Sequence, residues 1–104
     1  MDAAVPLAEP DILAFVRKAQ DGDTQAFERL YDHFFPQVYR YAAFRFEKEM
    51  AEDLVADVFL KVWQKLSTYE ERKGVPFAAW LFRIARHEVI DAYRGKRETV
   101  EMPE

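Results

Sequence analysis

An all-α fold, a compact bundle of about four helices, is what this sequence predicts, and three observations carry that prediction. Apolar residues recur at spacings of three and four, the period of one helix face. No stretch sustains apolar and polar alternation with period two, so no strand is predicted. Only three glycines and five prolines interrupt 104 residues, too few for a loop-rich or all-β chain. Length and composition agree with this. The chain is long enough for one small domain. Half its residues are hydrophobic and a third are charged, a globular balance rather than a disordered one.

Each element follows in order. Pro10 and Asp11 open the first helix, whose apolar residues are Ile12, Leu13, Phe15, Val16 and Ala19. Residues 1–10 are expected to be a flexible lead-in. Asp21-Gly22-Asp23 closes the helix, and Asp23 or Thr24 caps the next one. The second helix is predicted from about Thr24 to Phe46, with Phe27, Leu30, Tyr31, Phe34, Val38, Tyr41 and Ala42 recurring on one side. Pro36 lies inside it and removes a backbone donor, so a kink or a split near Phe34 and Phe35 is expected. Glu47 to Met50 reads as a turn. A third helix covers about Ala51 to Leu66, and Ser67 to Val75 is a polar loop containing Gly74. Pro76 suits the first turn of a fourth helix that ends near Gly95.

Composition also excludes several functions. The absence of cysteine removes disulfides, thiolate zinc sites and cysteine nucleophiles together, and is compatible with a reducing cytosol. No stretch reaches the roughly 18 apolar residues that a membrane span needs. Met1 to Pro10 lacks the basic start of a signal peptide, and no phosphate-binding glycine loop is present. His87-Glu88-Val89-Ile90-Asp91 approaches a helical zinc motif, but a catalytic zinc needs three protein ligands and the only other histidine is His33. No nucleophile triad or carboxylate pair stands out, so an enzyme is not expected.

The net charge of -4 is unevenly spread. Trp80 to Arg97 holds five bases (Arg83, Arg86, Arg94, Lys96, Arg97) against two acids, a basic segment on an acidic protein. Two different partner surfaces are implied. The first lies on the third helix. Leu54, Val55, Val58, Phe59, Val62, Trp63 and Leu66 fall on its broad apolar face, at about 100° per residue. Asp53, Ala56, Asp57, Leu60 and Gln64 form the opposite stripe. Solvation and the helix dipole explain the acids there. They do not explain Leu60, an apolar side chain ringed by acids, which fits a hot spot with a polar rim facing a basic, helical partner. The second surface lies on the fourth helix. Phe77, Leu81, Ile84 and Ala85 are its core residues. Trp80, Arg83, His87 and Arg94 share another arc, with Arg86 to one side. Arginines attract phosphate and a flat aromatic ring offers a base a stacking surface, so single-stranded nucleic acid is the matching ligand. Glu88 projects near Leu81 and Ile84 and is expected to pair with an arginine of the second helix.

These residues carry a resemblance. Ala51-Glu52-Asp53-Leu54-Val55-Ala56-Asp57-Val58-Phe59-Leu60-Lys61-Val62-Trp63, then Phe77-Ala78-Ala79-Trp80-Leu81-Phe82-Arg83-Ile84-Ala85-Arg86 and Asp91-Ala92-Tyr93-Arg94, closely resemble region 2 of extracytoplasmic-function (ECF) sigma factors. These are promoter-recognition subunits of bacterial RNA polymerase. Asp23 to Tyr31 and Val38 to Tyr41 are similar to the family's opening helices. The resemblance covers about residues 11–97. It implies a cytoplasmic, all-helical domain whose third helix docks on the coiled-coil clamp helices of the polymerase largest subunit, through Asp53, Asp57, Leu60 and Gln64. It implies that the loop and the fourth helix capture the promoter -10 element, with the non-template strand held single-stranded and a base turned into a pocket of the loop. The DNA-facing residues would be Tyr69, Arg72, Lys73, Trp80, Arg83, Arg86, His87, Arg94 and Arg97, with Arg40 and Arg45 behind them. An anti-sigma protein is the further partner implied, and no cofactor is.

The chain departs from the family pattern at two positions. His87 stands where asparagine is frequent and has a different donor and acceptor pattern, so base preference does not carry over. Ala56 stands where glutamine is common in the clamp-binding helix. The family's second domain, which reads the -35 element, lies beyond what these residues match, and Glu98 to Glu104 is expected to begin an acidic linker toward it. A protein-interaction module that binds an anti-sigma protein without promoter activity is the alternative. It shares the acidic helix and parts from the first reading at the basic face.

Overall fold

Charge and apolar period together make the first helix, α1 (Glu9–Gln20). Glu9 and Asp11 lie in its first turn and Arg17 and Lys18 in its last, an order that complements the helix dipole. The computed structural model describes residues 7–101, with side chains through Gly95. Pro10 occupies the first turn, where a missing N–H is harmless. Ile12, Val16 and Ala19 face inward. The chain then reverses through Gly22 at φ +98°, a conformation that glycine adopts without a Cβ clash.

Asp23 caps α2 (Thr24–Ala43), its side chain accepting from the Ala26 N–H at 3.1 Å. α2 is one helix that contains Pro36, which is exposed, so it is not split there. It stops at Ala43, short of Phe46. The N–H groups of Arg45 and Phe46 both bond the Ala42 carbonyl, and Phe46 turns inward to 7% exposure against Tyr93, ring centroids 5.0 Å apart. Phe46 continues the buried row of Ala26, Leu30, Phe34, Val38 and Ala42 although the helix has already ended. α3 (Lys48–Lys65) starts earlier than predicted. Lys48, Glu49 and Met50 are its first turn rather than a connecting turn, and all are good helix formers.

A short 3₁₀ turn, Leu66–Thr68, leads from α3 into the loop. The loop ends in a tight reversal. Val75 N–H donates to the Arg72 carbonyl at 3.0 Å, and Gly74 between them takes φ +79°, as the third residue of a type II turn must. α4 (Phe77–Glu101) follows directly after Pro76. It continues past Gly95 instead of ending there. Gly95 does not take the positive φ of a C-cap glycine, and a helical glycine costs only about 1 kcal/mol relative to alanine.

The four helices pack in sequence, α1 on α2, α2 on α3 and α3 on α4, with α1 and α2 also touching α4. Phe34, Phe77, Leu30, Leu66, Leu81 and Val16 are the largest fully buried side chains. Phe77, buried at the start of α4, joins the rings of Phe34, Tyr69 and Trp80, with centroids at 5.9, 5.0 and 5.5 Å. This aromatic cluster lies under the loop.

Candidate functional site

The loop and the first half of α4 enclose a cavity of about 420 Å³. Its walls are Thr68, Tyr69, Glu70, Arg72 and Val75 from the loop, and Ala79, Trp80, Arg83 and Arg86 from α4. Local folding dictates this composition. Ala79, Arg83 and Arg86 are spaced four and three apart, so they lie along one helical row. The Arg72–Val75 turn brings a third guanidinium to the same opening. Trp80 is half-buried, its ring 5.3 Å from that of Tyr69 and inclined at 61°. The result is an aromatic wall beside three arginines, an arrangement that offers stacking to a flat ring and positive charge to an anion.

The candidates for nucleic-acid contact therefore divide. Tyr69, Arg72, Trp80, Arg83 and Arg86 all line the cavity. Tyr69 is a wall more than a platform. It is only 8% exposed and packs edge-on against Phe77 and Trp80. Burial, with the nearby carboxylates of Glu71 and Glu9 adding to it, raises the Tyr69 phenol above the usual tyrosine range. Lys73 is exposed at the tip of the turn and lines a second cavity of about 560 Å³ on the α1 side of the loop, with Glu9, Leu13 and Glu71. His87 and Arg94 are exposed beyond the cavity. Arg94 lies 11 positions past Arg83 on the same helical row, about 16 Å along the axis. The side chain of Arg97 lies outside the described residues. Of the second-tier arginines, Arg45 is held over the Tyr41 ring at 4.1 Å and donates to the Tyr41 carbonyl at 2.8 Å.

On α3, Asp53, Asp57, Leu60 and Gln64 are all exposed, Leu60 to 54%. Beside Leu60 the structure places a feature that periodicity missed. Phe27 and Tyr31 of α2 meet Phe59, Leu60 and Trp63 of α3 around an almost wholly apolar groove of about 300 Å³. Trp63 and Tyr31, expected in the core, are each 37% exposed. Trp63 rests edge-on against Phe27 at 4.8 Å, so the α2–α3 seam is too shallow to cover it. A helical wheel assigns both residues to an apolar face but cannot tell how deep the neighbouring helix reaches.

Glu88 also differs from expectation. It is 9% exposed and pairs with Lys61 of α3, at 3.0 Å, not with an arginine of α2. Glu88 is on the α3 side of α4, and α2 packs elsewhere on that helix. The ion pair raises the Lys61 ammonium above its ordinary range, through the hydrogen bond to Glu88 and then its charge. Among the described residues no three His, Cys, Asp or Glu side chains are grouped to hold a metal ion, and His87 and Asp91 gain no third ligand. No helix of the described residues is long and apolar enough to cross a membrane.

The sequence has known relatives. Residues 30–99 match the family model for sigma-70 region 2. The chain is similar to the ECF RNA polymerase sigma factor BldN of Streptomyces coelicolor, 38% identical over 101 residues, which cover 93% of this chain and 38% of that protein. It is similar to SigK of Mycobacterium ulcerans, 31% identical over 94 residues, 88% of this chain and 49% of that one. It is also 36% identical over 88 residues to ShbA of Streptomyces griseus, 79% of this chain and 46% of that one. The chain spans less than half the length of each of these relatives.

Proposed function

The chain belongs to the sigma-70 region 2 family, as a domain of the ECF sigma-factor type, which is a class of non-enzymatic transcription initiation factors, and from that premise we propose that it captures the promoter -10 element as single-stranded DNA while docked on RNA polymerase. One observation carries the DNA half of the proposal: the cavity in which Trp80 and Tyr69 stand beside Arg72, Arg83 and Arg86. A base turned out of the non-template strand enters it. Arg94 and His87 follow the strand along α4, and Lys73 meets its backbone at the loop tip. Opening duplex costs about 1.4 kcal/mol per stacked step. Base stacking on an aromatic wall returns roughly 1 to 3 kcal/mol per base, so a few captured bases offset a short opening with no hydrolysis. The arginines steer and position the strand and carry little sequence information themselves.

The polymerase half rests on α3. Asp53, Asp57 and Gln64 form the polar rim and Leu60 the apolar centre of a surface for the basic clamp helices of the polymerase largest subunit. The groove of Phe27, Tyr31 and Trp63 supports this reading, because it widens the apolar centre that one leucine alone provides. The site of action is then the cytoplasm, beside the polymerase core. An anti-sigma protein competing for the same groove is the second reading, and it leaves the basic face without a ligand.

Fluorescence anisotropy separates the two. Labelled single-stranded 12-mers should bind the chain at low salt more tightly than the same sequences as duplex. Arg83→Ala with Arg94→Ala should abolish that binding. Equal binding of strand and duplex, or unchanged binding by the double variant, would remove the DNA reading and bring anti-sigma binding forward.

A further inference from the structure

The cavity loop is held by α1 as well as by its own turns. Five hydrogen bonds tie residues 66–77 to α1. Gln20 Nε2 donates to the carbonyls of Leu66 at 3.0 Å and Tyr69 at 3.1 Å. Arg17 donates from Nε to Glu71 Oε2 at 2.7 Å and from Nη2 to Oε1 at 2.9 Å, a fork-to-fork pair. Glu9 Oε2 accepts the Phe77 N–H at 2.8 Å, satisfying one of the first donors of α4. Glu9, Leu13, Arg17 and Gln20 are spaced four, four and three, one continuous stripe of α1. None of these four lines the 420 Å³ cavity, and neither does Glu71. The residues on either side of Glu71, namely Glu70 and Arg72, do line it.

We propose that this stripe of α1 is a positioning brace for DNA capture: Arg17 and Gln20 hold the loop, through Glu71 and the Leu66 and Tyr69 carbonyls, in the shape that makes the cavity, without touching DNA. The proposal rests on the DNA reading above. Its physical basis is that a flexible loop loses affinity to the ordering that binding demands, and bonds made in advance remove that loss. Arg17 has its charge already matched by Glu71. It is a base near a DNA face that does not serve as a phosphate contact.

Glu71→Gln makes the test sharp, because electrostatics and the brace predict opposite signs. Removing a carboxylate makes the protein one charge more positive, so charge alone predicts tighter binding of a polyanion. The brace predicts weaker binding, by about two- to fivefold for an exposed ion pair. Anisotropy with labelled dA12, dC12 and dT12 across a salt series reads both. Arg17→Ala should weaken binding by a similar factor with an unchanged salt slope, whereas removing a residue that does neutralise a phosphate lowers the slope by about 0.7. The double variant Arg17→Ala with Glu71→Gln should bind no more weakly than Arg17→Ala alone. Gln20→Ala should narrow the affinity differences among the three oligonucleotides, and Gln20→Glu should not rescue them, since a carboxylate cannot donate. Melting temperatures of the ion-pair variants should stay within about 4 °C of the parent. Equal or tighter binding by Glu71→Gln, or a reduced slope in Arg17→Ala, would overturn the brace while leaving the DNA reading intact. No binding by the parent chain at any salt would overturn both.

Discussion

Arg83 and Arg86 enter the cavity from one row of α4 and Arg72 enters it from the loop. Single alanine substitutions at these positions should weaken single-strand binding and lower the salt slope by about 0.7 for each phosphate no longer neutralised. A salt titration of each variant checks this. Tyr69 makes a different prediction. Burial raises its phenol, with Glu71 and Glu9 adding to the shift. The folded state therefore keeps the proton to higher pH than the unfolded state does. The stability this contributes is complete below the ordinary tyrosine pKa and is lost as pH rises through the folded value. Spectroscopic titration of the parent and Tyr69→Phe should show one late phenolate in the difference. Glu71 has the opposite sign. The hydrogen bond from Arg17 holds the carboxyl below the usual range; burial opposes it, and the Arg17 charge adds a smaller lowering. Its contribution is present above the unfolded carboxylate pKa and fades as pH falls through the folded one. The Arg17–Glu71 part of the brace accordingly weakens in acid, while the Gln20 bonds to the Leu66 and Tyr69 carbonyls do not titrate.

Among the elements, the loop carries a strict backbone demand, as does the α1–α2 turn at Gly22. Gly74 takes φ +79°, and no atom lies within 4 Å of where a Cβ would stand, so only conformation opposes a side chain there. Gly74→Ala should cost about 1 kcal/mol, read by chemical denaturation, and should weaken DNA binding with it. α3 depends on chemistry rather than backbone. Asp57→Lys or Leu60→Glu should abolish binding of the polymerase clamp coiled coil without abolishing single-strand binding, measured by anisotropy on the same samples. Much of the fold is legible in the sequence. Period and caps locate all four helices, and the stripe of Asp53, Asp57, Leu60 and Gln64 is exposed as its spacing predicts. The boundaries that differ, the end of α2 at Ala43 and the start of α3 at Lys48, are not marked by a breaker or a cap in the sequence. The brace is not legible there. Glu9, Arg17 and Gln20 look like ordinary polar residues on an amphipathic helix, and only the folded loop shows what they bond. The partner of Glu88 is likewise a matter of which helix packs nearest.

In the whole molecule, one core serves both faces. Leu81 has no exposed surface, and its helix carries the basic row on the opposite side. Leu81→Ala should cost about 2 to 5 kcal/mol, a large share of the stability of a domain this size, and calorimetry reads it as a lowered melting temperature. The acidic stripe of α3 and the basic row of α4 sit on different surfaces, which the proposed function assigns to the polymerase and to DNA respectively. An NMR titration tests that separation. The labelled chain is mixed first with the clamp coiled-coil fragment of the polymerase largest subunit and then with a single-stranded 12-mer. Amide shifts should appear first over 53–64 and at Phe27 and Tyr31, and then, without reversing these, over 68–94. Displacement of one ligand by the other, or shifts from both on the same residues, would contradict it.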